Sequence, residues 1–350
     1  MQSVSLRRLA VISLVLLWPA VHLRAQDAPS VDAPPPPSKA PAPADIGPMG
    51  PDAPTLKVNV NLVNVYFSAS DKNGFVTSLR KDDCQVAEDH DPQVIKRMTQ
   101  EKNLPLNIGI LIDTSGSQQY VLPLEKDSGV RFLKEVVTPK DEAFLISFDV
   151  NVDLQADFTN SPREIERAMQ NVSINTASSS AGVPGIGGGP FPTGNARGTL
   201  LFDAVYLATH DKLMAQTGRK IIVILSDGGD QGSQVNLKGA IEAAEKANAI
   251  VYVIFISDPH YQSGYSYMVQ LTEQTGGRLI NVGHDGRRLE EAFDQIQDEL
   301  RTQYLLSYTP TNKAADGTYR KIQLDCGKGL KIEARKGYYA VPGGEGSDIE

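Results

Sequence analysis

The chain has little of what several functional classes require. Its 350 residues include only two cysteines, Cys84 and Cys326, and neither has a neighbouring Cys or His at zinc-ligand spacing. Positive charge is scarce: 34 Lys and Arg stand against 42 Asp and Glu, for a formal net charge of −8. A chain this acidic, without a basic stripe, is a poor partner for nucleic acid or an anionic membrane. The apolar run Leu9 to Trp18 is far shorter than the roughly 20 residues needed to cross a bilayer, and no other segment is long enough. No Gly-x-Ser-x-Gly nucleophile elbow occurs. The Gly187-Gly188-Gly189 run lacks the Gly-Lys-Ser/Thr ending of a phosphate-binding loop. His90, His210, His260 and His284 are scattered and share no ligand spacing.

What is present is ordered along the chain. Arg7 and Arg8, the short apolar run and a polar stretch ending Leu23-Arg24-Ala25 have the layout of a secretory signal peptide over residues 1–25. The product is therefore expected to be exported, periplasmic or secreted, without a stable membrane span. No cysteine stands near the cleavage region, which argues against a lipid anchor. Oxidising compartments permit a disulfide, so Cys84 and Cys326 are either one bridge or two buried thiols. Residues 26–54, rich in Pro and Ala with Pro34 to Pro37 in a row, read as a disordered or polyproline-like linker.

Short β-like alternation follows, with Asp71-Lys72-Asn73-Gly74 as a hairpin turn. From residue 103 to 302 apolar strands alternate with amphipathic helices, the pattern of an α/β, doubly wound, mostly parallel six-stranded sheet. Strands are expected at 108–112, 143–148, 152–158, 221–225, 250–256 and 278–281, with helices between them. Only Asp149 to Asn151 separate the second strand from the third, too few for a crossover helix, so these two run antiparallel. Residues 173–197 form a long loop rich in Gly, Ser and Pro. After Arg301 the β pattern returns at 304–308, 319–325, 330–334 and 338–341. Residues 55–102 are too few to bury a core alone, and they are expected to join 303–342 in one small β-sandwich-like domain. Residues 343–350 read as a disordered tail.

One constellation carries chemistry. Asp113-Thr-Ser115-Gly-Ser117 follows an apolar strand and precedes a helix, and Asp227 ends another strand in Leu225-Ser226-Asp227-Gly228. Ligands of open α/β sheets bind at such carboxyl ends. Carboxylates and hydroxyls offer only oxygen, which suits Mg²⁺, Mn²⁺ or Ca²⁺ over zinc or copper.

These residues resemble the von Willebrand factor A superfamily, whose metal-ion-dependent adhesion site has the pattern Asp-x-Ser-x-Ser with a distant Thr and a distant Asp. Asp113, Ser115, Ser117, Thr199 in Gly198-Thr199-Leu-Leu-Phe-Asp203-Ala, and Asp227 fill the five positions. The resemblance implies the strand order 3-2-1-4-5-6, a bound divalent cation, and an adhesion-type partner, protein or another anionic ligand, that supplies a carboxylate to it. The segments Val76, Leu79, Asp83 and Glu88-Asp89, with Tyr304-Leu-Leu-Ser-Tyr308-Thr-Pro310 and Arg335-Lys-Gly-Tyr338-Tyr339, are similar to exported, acidobacterial-type von Willebrand factor A-related proteins. Against that pattern Cys84 stands where an aromatic is expected and His90 where a turn Gly is expected. Cys326 shares the alternation phase of Ile322 and Leu324, which would turn it toward the same core as Cys84.

The leading expectation is a cation-dependent binding module without catalytic activity. The alternative is a structural envelope component with a stabilising or vestigial metal site, followed by a metal-assisted hydrolase. Asp149 reads as an ordinary strand-end acid. Asp203, on the helix face of Thr199, either orients the site or caps and solvates the helix. The terminal tyrosines Tyr304, Tyr308, Tyr319, Tyr338 and Tyr339 are expected to pack across strands.

Overall fold

A strand covered by helices on both faces must be apolar on both, and Leu106–Asp113 meets that requirement: Ile108, Ile110, Leu111 and Ile112 are all fully buried. In the computed structural model, which describes residues 62–101, 104–174, 198–256 and 264–340, the chain opens with β1 Val63–Asp71, β2 Gly74–Phe75, β3 Gln85–Glu88, β4 Asp91–Gln93 and β5 Ile95–Gln100. It continues through β6 Leu106–Asp113, α1 Leu122–Val136, β7 Glu142–Phe148, β8 Val152–Thr159 and α2 Pro162–Asn171. Then come α3 Leu201–Tyr206, β9 Arg219–Ser226, α4 Leu237–Lys246, β10 Ala249–Phe255, α5 Tyr265–Thr275, β11 Leu279–Asn281 and α6 Gly286–Thr302. It closes with β12 Tyr304–Tyr308, β13 Tyr319–Asp325, β14 Lys331–Ala334 and β15 Gly337–Tyr339. The described residues belong to one compact unit, Val58–Glu350. The expected leader and linker, most of the loop at 173–197 and the tail at 343–350 lie outside the described residues.

The central sheet has the order β11-β10-β9-β6-β7-β8. Its pairs are parallel except β7 with β8, which the three-residue link forces to be antiparallel. Counted in chain order within the sheet, this is 3-2-1-4-5-6, the order the resemblance implies. Alternation along the strands divides the core in two. Ile108, Ile110, Ile112, Val223, Leu225, Tyr252 and Ile254 face α1, α2 and α6, where Phe132 and Phe293 meet at 5.0 Å between ring centroids. Leu111, Phe144, Ile222, Ile224, Val251 and Val253 face α3, α4 and α5. The six-stranded sheet is thus a middle layer between two helical layers.

The helices begin and end where side chains permit. The Asn236 carboxamide accepts from the Gly239 N–H at 2.9 Å ahead of α4, and the Asp285 carboxylate accepts from the Arg287 N–H at 3.0 Å ahead of α6. In α6 the buried Leu289, Ala292, Phe293, Ile296 and Leu300 recur at helical spacing and form its core stripe. Past Tyr206, α3 widens into a π-helical turn, Leu207–Leu213.

Strands from the two ends of the chain are hydrogen-bonded to each other. One sheet runs β14-β1-β12-β5, with β2 on β1, and the other runs β15-β13-β3-β4. Their shared core includes Val65, Phe67, Tyr304, Leu306, Tyr308 and Tyr338 around a Cys84–Cys326 disulfide. Of the two outcomes open in the sequence, the bridge is the one present. Tyr308 and Tyr338 both donate to the buried Glu88 carboxylate, at 2.8 and 2.9 Å. Asp89 and His90, at φ 48° and 79°, form the β3–β4 turn where a Gly was expected.

Candidate metal centre

β6 and β9 lie side by side, so the loops leaving their carboxyl ends meet. Asp113 ends β6 and is fully buried. One of its oxygens accepts from the Ser115 N–H at 2.9 Å, and the other accepts from the Ser226 hydroxyl at 2.6 Å. Ser226 ends β9 immediately before Asp227, and its oxygen also accepts from the Gly228 N–H at 3.0 Å. Asp113 is therefore fastened to the Asp227 loop. Burial pushes the Asp113 carboxyl up to about 7 despite the donors from Ser115 and Ser226, and the negative charge of Asp227 adds to the rise.

Ser115 and Ser117 lie in the turn that follows, half-buried and exposed respectively, with their hydroxyl oxygens 3.0 Å apart. Thr199 precedes α3 and exchanges backbone hydrogen bonds with Gln231, at 3.0 and 2.9 Å, which ties it to the segment after Asp227. Asp227 is half-buried, and one of its oxygens accepts from the Gly229 N–H at 3.1 Å. Gly228, at φ 80°, has no room for a side chain: an added Cβ would sit 2.8 Å from the Phe255 ring. All five residues expected at the site thus stand on three neighbouring loops at one end of the sheet, and backbone or side-chain hydrogen bonds join those loops.

Other residues fix the loops. The Thr114 hydroxyl donates to Asp149 at 2.6 Å, and the Asp149 carbonyl accepts from the Leu200 N–H at 2.7 Å. Asp149 is accordingly a strut between the Asp113 loop and the Thr199 segment, more than the plain strand-end acid expected. The Asp203 carboxylate accepts from the Gln234 and Val235 N–H groups at 3.0 and 2.8 Å, so it orders the chain after Asp227.

Sequence reasoning missed Ser226 and Glu125. Ser226 was findable, since it directly precedes the strand-end acid. Glu125, in the first turn of α1, is fully buried, and neither of its oxygens has a hydrogen-bond partner. Burial holds its carboxyl well above the usual range, and the charges of Asp113 and Asp227 push the same way. The Gln118 side-chain carbonyl, one residue beyond Ser117, is likewise buried without a donor. An all-oxygen set, with orphaned acceptors in the turn and helix that follow Ser117, fits a hard divalent cation. Among the described residues no three acidic, histidine or cysteine side chains converge closely enough to hold an ion by themselves, so hydroxyls would have to complete the coordination.

No protein-family model matches the chain. No curated protein matches it either. Solved structures similar to it include a von Willebrand factor type A protein from Catenulispora acidiphila, at TM-score 0.45 and 13% identity, covering 81% of this chain and 75% of that one. Another is the von Willebrand factor domain of a type V pili tip protein from Porphyromonas gingivalis, at 0.43 and 13%, covering 57% and 95%. A third is a conserved hypothetical protein from Bacteroides thetaiotaomicron, at 0.43 and 15%, covering 55% and 98%.

Proposed function

We propose that the protein is a divalent-cation-dependent binding module that acts outside the cytoplasm and engages an anionic, carboxylate-bearing partner at the end of the central sheet. The observation that carries this reading is the junction of the two acid loops: Ser226 donates to Asp113 while Asp227 acts on the same carboxylate. Clustering like charges in a buried place is unfavourable by itself, and a divalent cation removes the conflict. Ser115, Ser117, Thr199, Asp113 and Asp227 would hold Mg²⁺, Mn²⁺ or Ca²⁺, the two serines directly and Thr199, Asp113 and Asp227 directly or through water. When bound, the ion supplies a positive centre with an open face for a partner's carboxylate.

The remainder of the reading follows from this chain's own groups. Ser115 and Ser117 hydrogen-bond to each other, an arrangement suited to coordination more than to a base-activated nucleophile, so binding is preferred over catalysis. A module exposed to an oxidising compartment also accounts for the leader-like first 25 residues and the Cys84–Cys326 bridge. The strands from the two ends would act as a small β domain beside the binding domain.

Titration calorimetry with Mn²⁺ tests the site. Wild type is expected to bind about one equivalent, and Asp113→Ala none, while far-ultraviolet circular dichroism stays unchanged because the core is apolar. Capture from envelope extracts should occur in Mg²⁺ and fail in EDTA. Cation binding without cation-dependent capture would favour the structural alternative, and equal Mn²⁺ binding by Asp113→Ala would sink the proposed site.

A further inference from the structure

Glu125 poses a question the five site residues do not answer. It is 0% exposed, both its oxygens lack hydrogen-bond partners, and the charges acting on it, those of Asp113 and Asp227, are both negative. Leaving a carboxyl group buried and unpaired costs far more than an apolar side chain in the same space. A purely packing role is therefore a poor explanation of an acid here. Its position is specific: it lies in the first turn of α1, directly after the turn that carries Ser115 and Ser117, where the helix terminus itself favours negative charge. Two more buried polar groups flank it in sequence without partners, the Gln118 carbonyl and the Ser128 hydroxyl. Ser128 lies three residues along, on the same helix face.

We propose that Glu125 is a positioning acid of the cation site, an ionised carboxylate behind the Asp113 loop that accepts hydrogen bonds from water bound to the ion and so strengthens cation binding. The inference rests on the cation site proposed above and adds a third negative charge to it. Among the described residues no three acidic, histidine or cysteine side chains converge as a ligand set, so Glu125 would act on the ion through bound water and not as a direct ligand. A divalent cation turns its surroundings from repulsive to attractive, which reconciles the burial with the charge. Partners of this kind, acting on a metal through bound water, alter metal affinity about 10–100-fold when removed.

Glu125→Gln keeps the size and removes the charge. In EDTA the variant should unfold at a temperature roughly 2 °C or more above wild type, because an uncompensated acid is gone. By titration calorimetry its Mn²⁺ affinity should fall about 10–100-fold. Opposite signs for cation-free stability and cation affinity are what a merely structural residue would not give. The inference is overturned if Glu125→Gln binds Mn²⁺ as wild type does while Asp113→Ala binds none, or if Glu125→Gln is less stable than wild type in EDTA. Absence of Mn²⁺ binding in wild type, or unchanged binding in Asp113→Ala, overturns the site itself and the inference with it.

Discussion

His90 occupies a backbone conformation that costs a non-glycine residue about 1–2 kcal/mol, because its Cβ crowds the following carbonyl at φ 79°. With Asp89 at φ 48° it forms the two-residue turn between β3 and β4, whose Glu88 and Asp91 pair across the hairpin. His90→Gly should therefore raise stability by about 0.5–1 kcal/mol after the entropy that glycine loses on folding, read as a higher denaturant midpoint at unchanged slope. Glu245 predicts a pH dependence. It is buried, accepts from the Tyr319 hydroxyl at 2.9 Å, and is raised by burial from the ordinary glutamate value of 4.5 to about 7. Between those values the folded protein holds a proton that the unfolded chain has lost, so its contribution is full below about 4.5 and disappears as pH rises through 7. Glu245→Gln should flatten that decline, by an amount on the order of 2–3 kcal/mol, in unfolding curves measured from pH 4 to 8. At this scale the meeting of the loops that carry the five expected residues was legible, because their spacing and residue types mark strand ends. Glu125 was not, since Glu125-Lys126-Asp127 reads as the solvated face of a helix, and only the packing of α1 reveals that its first member is inside.

Among the elements, the antiparallel β7–β8 pair was legible from a three-residue link, and the apolar pattern placed the ends of every central strand within two residues of where they lie. The helical segment that begins with α3 carries one feature that periodicity does not encode, the π-helical turn after Tyr206. The contact between Gly228 and Gly264 was also hidden, because it joins a strand-end loop to the start of α5 across more than thirty residues. An added Cβ at Gly264 would fall 1.8 Å from the Gly228 carbonyl oxygen, and its φ of 104° disfavours any other residue. Gly264→Ala should push the loop bearing Asp227 out of place. The expected results are a loss of a few kcal/mol of stability and Mn²⁺ binding at least about tenfold weaker, measured by thermal unfolding and calorimetry. Unchanged Mn²⁺ affinity would mean that the loop adjusts without moving Asp227.

For the molecule as a whole, the strands at the two ends were each legible as β, whereas their register was not, since alternation tells a strand which face is apolar but not which neighbour it takes. The structure pairs Val63 with Tyr308 and Val65 with Leu306, and it closes Cys84 on Cys326 across 242 residues. That long-range closure has a consequence in time. The central sheet is encoded by one continuous stretch and makes its contacts as that stretch becomes available, while β1, β3 and β5 have their partners β12 and β13 only once nearly all of the chain has been delivered. Non-local pairings wait for loop closure, so the first strands spend this interval with unpaired edges, the condition in which chains add to one another instead. Thiol trapping during refolding should then find Cys84 and Cys326 still reactive after the central sheet has acquired its helical circular dichroism. Protein in which both are replaced by Ala should be less stable by roughly 2–5 kcal/mol and should aggregate more as refolding concentration rises. On that order of events the bridge would be a latch that closes last and stops the earliest-made strands from finding a partner on another chain.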